Sequence, residues 1–159
     1  RMLYRSGAYE QAVESYAEHY EGMKLDARYL FEYGHALHKL HRNEESNRIL
    51  QEALKVSSDP MILNIIGKNF QEMQQYKEAE HWLLRSTHRL PGRIYPYYLL
   101  AKLYREAGDC FPPEKLEWAR RMVLETEPKV HSRAIEEMRE EINGMLKTTH
   151  FIEEKQVGK

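Results

Sequence analysis

The feature that most constrains the fold of this chain is an internal repeat with a period of about 34 residues. The glycine of "FEYGHAL", Gly34, recurs 33 residues later as Gly67 in "LNIIGKNF". Three series follow this spacing, two of small residues and one of bulky residues: Gly34, Gly67 and Ala101; Ala12, Ser46 and Ala79; and Tyr16, Leu50 and Leu83. Such a period predicts stacked supersecondary units, because one unit cannot bury its apolar face alone.

Each period has the pattern of two helices joined by a short turn. Apolar residues recur at helical spacing in "ARYLFEYGHALHKL", the polar "HRNEE" interrupts them, and "SNRILQEALKV" resumes the pattern. Small residues are expected where the two helices cross, because a missing side chain lets the backbones approach closely. Bulky residues are expected to fill the space beside these crossings, namely Tyr16, Phe70, Leu83 and Tyr104.

Two prolines mark the starts of helices. In "SSDP" we expect Asp59 to accept hydrogen bonds as the N-cap and Pro60 to occupy the first helical position. Pro96 is expected at the start of the helix in "RIYPYYLLAKLYREAGD". A proline is tolerated there because its missing N–H would have no partner in the first turn.

These patterns predict an all-α fold, a right-handed superhelix of stacked antiparallel helix hairpins with a C-terminal capping helix. We expect one domain over 1–147. Its predicted parts are a partial repeat at 1–25, repeats at about 26–59, 60–93 and 94–127, a capping helix at 132–147 and a flexible tail at 148–159. Lys115 is expected where the repeat calls for a small residue, so its helix is predicted to pack at an altered angle.

The last helix and the first residues carry further expectations. Ser132 is the predicted N-cap of the capping helix, whose inward-facing residues are Ile135, Met138, Ile142 and Met145. At the other end, Leu3 and Tyr4 resemble the end of a first helix whose earlier turns are absent, so we expect an excised fragment. The apolar face around Leu3, Tyr9 and Val13 is then predicted to promote self-association.

Composition excludes several classes of protein. Lys and Arg number 24 against 25 Asp and Glu, which is not the basic excess of a nucleic-acid-binding domain. No apolar run approaches the roughly 20 residues of a membrane span, and no signal peptide opens the chain, so no direct membrane insertion by this segment is expected. Cys110 is the single cysteine, which excludes an internal disulfide and a cysteine metal cage.

Eight histidines invite a metal hypothesis, because "GHALHKLH" places His35, His38 and His41 three residues apart. His41 drifts around the helix, however, and no carboxylate is fixed nearby in sequence. We interpret these histidines as polar residues on a solvated helix face and expect no metal and no cofactor. No catalytic motif is present, and Cys110 has no basic neighbour in sequence, so we expect a chain without enzymatic activity.

The remaining candidate for function is the concave groove that the first helices of stacked hairpins would line. The residues predicted to face it are Arg28, Phe31, His35, His38 and Lys39, then Met61, Asn64, Lys68 and Gln71, then Tyr95, Tyr98, Lys102 and Arg105. His35, Lys68 and Lys102 form a column that is basic or potentially basic, and the aromatic rings beside it suit an acidic or extended peptide, or a sugar. The alternative is that the basic residues only keep the groove soluble. Tyr97 is predicted to face the neighbouring hairpin.

The period, the small residues and the Tyr and Leu positions resemble the tetratricopeptide repeat (TPR). "GAYEQAVESY" and "QYKEAEHWLLRS" resemble its second helices, and "YLFEYGHALHKL", "MILNIIGKNFQEM" and "YYLLAKLYREAG" resemble its first helices. The resemblance covers roughly residues 1–127 and implies a protein-interaction scaffold. Its carboxylate-clamp subset is excluded, because that subset needs polar or basic residues where this chain has Phe31, His35, Ile65, Tyr95 and Leu99.

A narrower resemblance covers about residues 90–145. "RIYPYYLLAKLYREAGD", a basic helix and "AIEEMREEI" resemble the C-terminal TPR domain of O-antigen ligase-like membrane proteins of Bacteroides-type bacteria. This resemblance implies a non-catalytic accessory domain, tethered to the inner membrane through its parent, in which glycan transfer takes place elsewhere. The alternative is a stand-alone, cytoplasmic TPR adaptor. Residues upstream of Arg1 would discriminate the two, since apolar stretches of about 20 residues favour the first and further repeats the second.

Overall fold

The computed structural model describes the backbone of residues 2–5 and 7–157 and the side chains of residues 3–5 and 7–145. This part of the chain is all-α, without a strand, as the sequence predicts. Its α-helices are α1 (Met2–Arg5), α2 (Tyr9–Glu18), α3 (Tyr20–Met23), α4 (Ala27–Lys39), α5 (Asn43–Leu54), α6 (Pro60–Glu72), α7 (Tyr76–Arg89), α8 (Tyr95–Glu106), α9 (Pro113–Glu125) and α10 (Arg133–Val157). A short 3-10 helix, Gly108–Cys110, follows α8.

The chain divides into two compact units, and each is described by itself. Unit 1 is Arg1–Arg89 and contains α1 to α7, while unit 2 is Leu90–Lys159 and contains α8 to α10. Successive helices pack as hairpins, α4 on α5 and α6 on α7 in unit 1, and α8 on α9 in unit 2. In unit 1 the hairpins stack through contacts between α5 and α6, so the repeated unit is the helix hairpin, as predicted. The single domain predicted over 1–147 stays a prediction.

The predicted helix starts are confirmed by the local hydrogen bonds. A carboxylate oxygen of Asp59 accepts a 2.9 Å hydrogen bond from the backbone N–H of Met61, and Pro60 is the first residue of α6. Pro96 is the second residue of α8. The hydroxyl of Ser132 accepts from the N–H of Ile135, which is the predicted cap of the last helix. Local sequence therefore decides where these helices begin.

The glycines of the repeat lie where a first helix crosses its second helix. A Cβ built on Gly34 would lie 2.4 Å from Cδ2 of Leu50, and one built on Gly67 would lie 2.7 Å from Cγ of Leu83. Real Cβ atoms do not approach so closely, so only glycine permits these crossings without displacement. The hydroxyl of Ser46 also donates a 2.7 Å hydrogen bond to the carbonyl of Gly34, which ties α5 to α4.

The structure of unit 2 adds detail to the predictions made for it. The last helix continues to Val157, beyond the bound of 147 predicted for the capping helix, while the flexibility of the segment 148–159 stays a prediction. Tyr97 packs edge-to-face on Trp118 of its own hairpin, with ring centroids 5.6 Å apart, and its orientation towards a neighbouring hairpin stays a prediction. Lys115 is half-buried with its ammonium 5.4 Å from the ring centre of Phe111, because its long stem can lie along α9 while the charge reaches an aromatic face.

The apolar face expected at the start of the chain is smaller than predicted. Val13 is only 3% exposed, because it joins the core of unit 1, and Tyr9 is half-buried. Leu3 remains 41% exposed. The predicted self-association stays a prediction, with Leu3 as the most exposed of the three residues named for it.

Candidate functional site

The surface predicted as the groove in unit 1 begins with two stacked rings on α4. Phe31 and His35 are one turn apart, and their rings lie parallel, 3° between planes, with centroids 6.1 Å apart. Both side chains are half-buried, so each leaves one part accessible. The i, i+4 spacing on a helix places them on one face, as the sequence predicts.

Two tyrosines that the sequence did not identify as site residues extend this aromatic surface. The Tyr4 hydroxyl and Nδ1 of His35 share a 2.7 Å hydrogen bond, and the Tyr9 ring lies 6.2 Å from that of His35. The rings of Tyr4 and Tyr9 meet edge-to-face at 6.1 Å. The sequence offered one signal for Tyr4 as a site residue, since it lies near the end of a first helix, 31 residues before His35.

His35 does not contribute positive charge to the predicted basic column. Burial lowers the pKa of His35 to about 4, and the positive charges of Lys39 and Lys68 lower it further, as does the neighbouring His38. The imidazole is therefore neutral at neutral pH. Of the predicted basic column, Lys68 is a cation in unit 1 and His35 is not. The prediction failed at His35 because it treated this residue as an exposed imidazole with its ordinary pKa.

His38, predicted to face the groove, is instead buried in a polar network and is 6% exposed. The side-chain N–H groups of Asn69 donate to Ser46 at 2.9 Å and Asn47 at 2.8 Å, which leaves Oδ1 of Asn69 as the acceptor. His38 consequently donates from Nδ1 across 2.6 Å and is held as the Nδ1–H tautomer. Burial lowers the pKa of His38. The interpretation of His38 as a residue of a solvated face was wrong, whereas His35 remains partly accessible.

The residues predicted on α6 differ in their accessibility. Asn64 is 3% exposed and donates to the sulfur of Met61 at 3.5 Å, while its buried Oδ1 receives no hydrogen bond from a donor among the described residues. It is therefore a structural residue and not a surface one. Met61 is 38% exposed, and Gln71 is half-buried.

Lys68 is half-buried and makes no hydrogen bond or ion pair with any described residue. Its charge contributes to the lowered pKa of both His35 and His38. Of the two other cations predicted for this surface, Lys39 is exposed, and Arg28 lies 3.4 Å from a carboxylate oxygen of Glu32. Unit 1 thus combines a half-buried lysine that has no ion-pair partner among the described residues with aromatic faces.

The corresponding surface of unit 2 is occupied by the chain itself. Tyr95 and Tyr98 stack with centroids 6.1 Å apart, and the Tyr98 hydroxyl donates a hydrogen bond to Glu141 of α10. Lys102 Nζ lies 3.9 Å from the same carboxylate and 5.2 Å from the ring centre of Tyr98. Burial raises the pKa of Tyr98, and the hydrogen bond with Glu141 adds to this. Arg105 is exposed.

Glu141 was missed because the last helix was considered only for its inward apolar residues. Its acidic residues were interpreted as a solvated face, yet Glu141 contacts two residues predicted to bind a ligand.

Among the described residues, no group of histidine, cysteine and acidic side chains is placed to hold a metal ion. Within the same part of the chain, no helix combines the length and apolar character needed to cross a bilayer.

The fold is similar to that of several solved helical-repeat proteins. MamA from Desulfovibrio magneticus RS-1, from residue 41 to its end, is 21% identical with a TM-score of 0.69, covering 98% of this chain and 91% of that one. Another MamA structure is 15% identical with a TM-score of 0.70, over 99% of this chain and 89% of that one. A chain of the CopN–Scc3 complex is 17% identical with a TM-score of 0.64, over 76% of this chain and 68% of that one.

These structures are TPR-like helical-repeat proteins, and the fold of this chain is of that class. At such identities the likeness establishes the fold and leaves the function open. No protein-family model and no curated protein matches the chain. The narrower resemblance to the C-terminal domain of O-antigen ligase-like proteins has no support from these comparisons.

Proposed function

We propose that this chain is a protein-interaction scaffold that binds an acidic segment of a partner protein on the surface formed by Tyr4, Tyr9, Phe31, His35 and Lys68, here called the unit 1 surface. TPR-like structural neighbours, one of them determined as a complex between proteins, support the general class. The acidic character of the partner segment is inferred from the side chains of the surface itself.

The observation that carries this proposal is the state of Lys68. Lys68 is half-buried as a residue, and no described side chain forms a hydrogen bond or an ion pair with its ammonium. Its positive charge contributes to the lowered pKa of His35 and of His38. A carboxylate from another molecule would supply the partner that Lys68 lacks among the described residues.

The aromatic side chains define the rest of the ligand. Phe31 and His35 present a stacked pair, and Tyr4 and Tyr9 meet His35 edge-on. Flat apolar rings with polar edges favour an aromatic or bulky side chain beside the carboxylate. Because His35 is neutral, it offers a hydrogen bond and not a second charge. The surface therefore selects a peptide in which carboxylates alternate with large side chains.

The test is a binding experiment with a labelled peptide of alternating tyrosine and glutamate, alongside the same peptide with glutamine in place of glutamate. We expect the acidic peptide to bind, its affinity to fall with added salt, and the Lys68→Glu variant to lose binding while its helicity is unchanged. Lys55→Glu is the matched control, since Lys55 is exposed at the end of α5 and the charge change is the same. Equal binding by Lys68→Glu and the native protein would refute the proposal.

A second candidate rests on the sequence resemblance over about residues 90–145. In this hypothesis the chain is the accessory domain of a polysaccharide ligase-like membrane protein and performs no chemistry itself. Deleting the domain from the full-length parent should then lower surface-glycan ligation without altering membrane insertion. A parent made of repeats throughout would eliminate this candidate and leave the scaffold proposal intact.

A further inference from the structure

Unit 2 contains a cleft of about 770 Å³ that no predicted function uses. Its walls are the loop between α7 and α8 with the first residues of α8, and the loop between α9 and α10 with the first turns of α10. This volume is within the range of about 300–1,000 Å³ that ligand-binding clefts occupy. Tyr95 is the one lining residue that it shares with the predicted groove.

The apolar side chains of the cleft are arranged with a buried floor and an exposed mouth. Ile94 is 4% exposed, and Ile135 and Met138 are half-buried. Leu90 at one side of the mouth is 39% exposed, and Val130 at the other is 76% exposed. Large apolar side chains that remain exposed around a concavity mark a binding surface more strongly than isolated ones, because their burial stabilises a complex.

The charged residues that line the cleft are both cations. Arg93 and Lys129 are exposed, and neither makes a hydrogen bond or ion pair through its side chain with a described residue. Of the carboxylates near it in sequence, Glu127 lies 3.2 Å from His131 and Glu137 lies 3.0 Å from Arg133, and no described carboxylate forms an ion pair with Arg93 or Lys129. The cleft therefore presents two positive charges without an ion-pair partner among the described residues, next to an apolar floor, which complements an anionic ligand with an apolar part.

The backbone beside the cleft favours a peptide over a small amphiphile. Residues 126–132 form an irregular segment between α9 and α10. The backbone N–H groups of Lys129 and Val130 have no acceptor among the described residues. An extended peptide segment could accept hydrogen bonds from these groups along its own backbone, whereas an acyl chain offers no acceptor beyond its head group.

We propose that this cleft binds a short segment of a partner protein in which a bulky apolar side chain lies next to carboxylates. The apolar side chain occupies the floor at Ile94, Ile135 and Met138, and the carboxylates face Arg93 and Lys129. This is a second site, separate in residues from the unit 1 surface, and it does not depend on the function proposed for that surface.

The test uses the full chain and a labelled eight-residue peptide with a central leucine flanked by glutamates. Two matched peptides replace the glutamates by glutamine or the leucine by alanine. We expect both replacements to weaken binding, and Lys129→Glu to weaken binding of the parent peptide on the order of tenfold. Val130→Ser should weaken it less, and both variants should unfold like the native protein because both residues are exposed loop positions.

Controls separate this site from the unit 1 surface. Lys68→Glu should leave the binding of the leucine peptide unchanged, and Lys129→Glu should leave the binding of the tyrosine–glutamate peptide unchanged. The methyl signal of Met138 should shift on addition of the leucine peptide. Equal affinity of Lys129→Glu and the native protein would overturn the proposal. So would binding of decanoate in the cleft by a protein that does not bind the peptide.

Discussion

The same repeat position holds Lys68 in unit 1 and Lys102 in unit 2, but the two lysines have different surroundings. Lys102 lies 3.9 Å from Glu141 and 5.2 Å from the ring centre of Tyr98, so the last helix of the chain supplies its carboxylate. Lys68 has no such partner among the described residues and is half-buried. A shared repeat position therefore does not imply a shared role. The lysine available to another molecule is the one that the chain itself leaves unpaired.

A second difference between the units lies one residue further along each first helix. Asn69 in unit 1 is fully buried and links His38 of α4 to Ser46 and Asn47 of α5. The corresponding residue in unit 2 is Leu103, which is also fully buried. One unit thus joins its helices through hydrogen bonds and the other through apolar contact, although both follow the same hairpin geometry.

The largest expected effect is on the glycine crossings of unit 1. Gly67→Leu should destabilise unit 1 by about 3 kcal/mol or more, because even a Cβ at this position would lie 2.7 Å from Leu83. Chemical unfolding followed by the fluorescence of Trp82, in a Trp118→Phe background, reports on unit 1 alone. Gly22→Leu is the control, since nothing lies within 4 Å of a Cβ at that position. An unchanged midpoint for Gly67→Leu would place the crossing elsewhere.

Exchanging the buried polar and apolar residues should cost somewhat less. Asn69→Leu leaves the Nδ1–H of His38 and the side-chain oxygen of Asn47 without their partner, at a cost of about 2 kcal/mol. Unfolding followed by Trp82 measures it. If Asn69→Leu had the same free energy of unfolding as the native protein, the hydrogen-bond network would make no net contribution to stability. The two units would then differ in the chemistry of this contact but not in the stability that it provides.

Acid should weaken unit 1 through its buried histidines. The pKa values of His35 and His38 lie below the value of about 6.5 for an unfolded chain, with His35 at about 4. The unfolded chain therefore binds protons more readily, and this part of the stability is fully present above about pH 6.5 and is lost as the pH falls towards 4.

We expect the free energy of unfolding of unit 1 to fall on the order of 1 kcal/mol between pH 7 and pH 5, after allowance for solvent screening at the half-buried His35. His35→Gln should reduce this decline. Unit 2, followed by Trp118 in a Trp82→Phe background, has no buried histidine among its described side chains, since His131 is exposed, and serves as the internal comparison. If the free energy of unfolding fell equally in both units, the protonation of carboxylates would explain the decline, and not that of the buried histidines.

The smallest effect on stability should come from Glu141→Gln. The ion pair with Lys102 is about half exposed on both sides, and such pairs contribute about 0–1 kcal/mol. The removal of the charge should nevertheless make Lys102 resemble Lys68, so weak binding of the tyrosine–glutamate peptide should appear in unit 2. Binding measured in a Lys68→Glu background isolates this gain. If Glu141→Gln gains no binding there, an unpaired lysine beside tyrosines is not sufficient for recognition.

The hairpins and their crossings could be predicted because they depend on short-range features of the sequence. The start of α6 depends on two adjacent residues, Asp59 and Pro60, and a helix crossing needs a small residue such as Gly34 once in each period. The small residue recurs in successive repeats, so the period of about 34 residues reveals the crossings. The sequence alone therefore determined the all-α class, the hairpin as the repeated unit and the faces along which its helices pack.

The tertiary structure decided which of the predicted site residues are available and charged. His38 is hydrogen-bonded to Asn69, 31 residues away, and Tyr98 to Glu141, 43 residues away. The pKa of His35 depends on burial that no neighbour in sequence reveals. Charge, pairing and accessibility are properties of the space around a side chain. Repeat spacing fixes the face on which a residue lies, and only the packed chain fixes what that residue meets there.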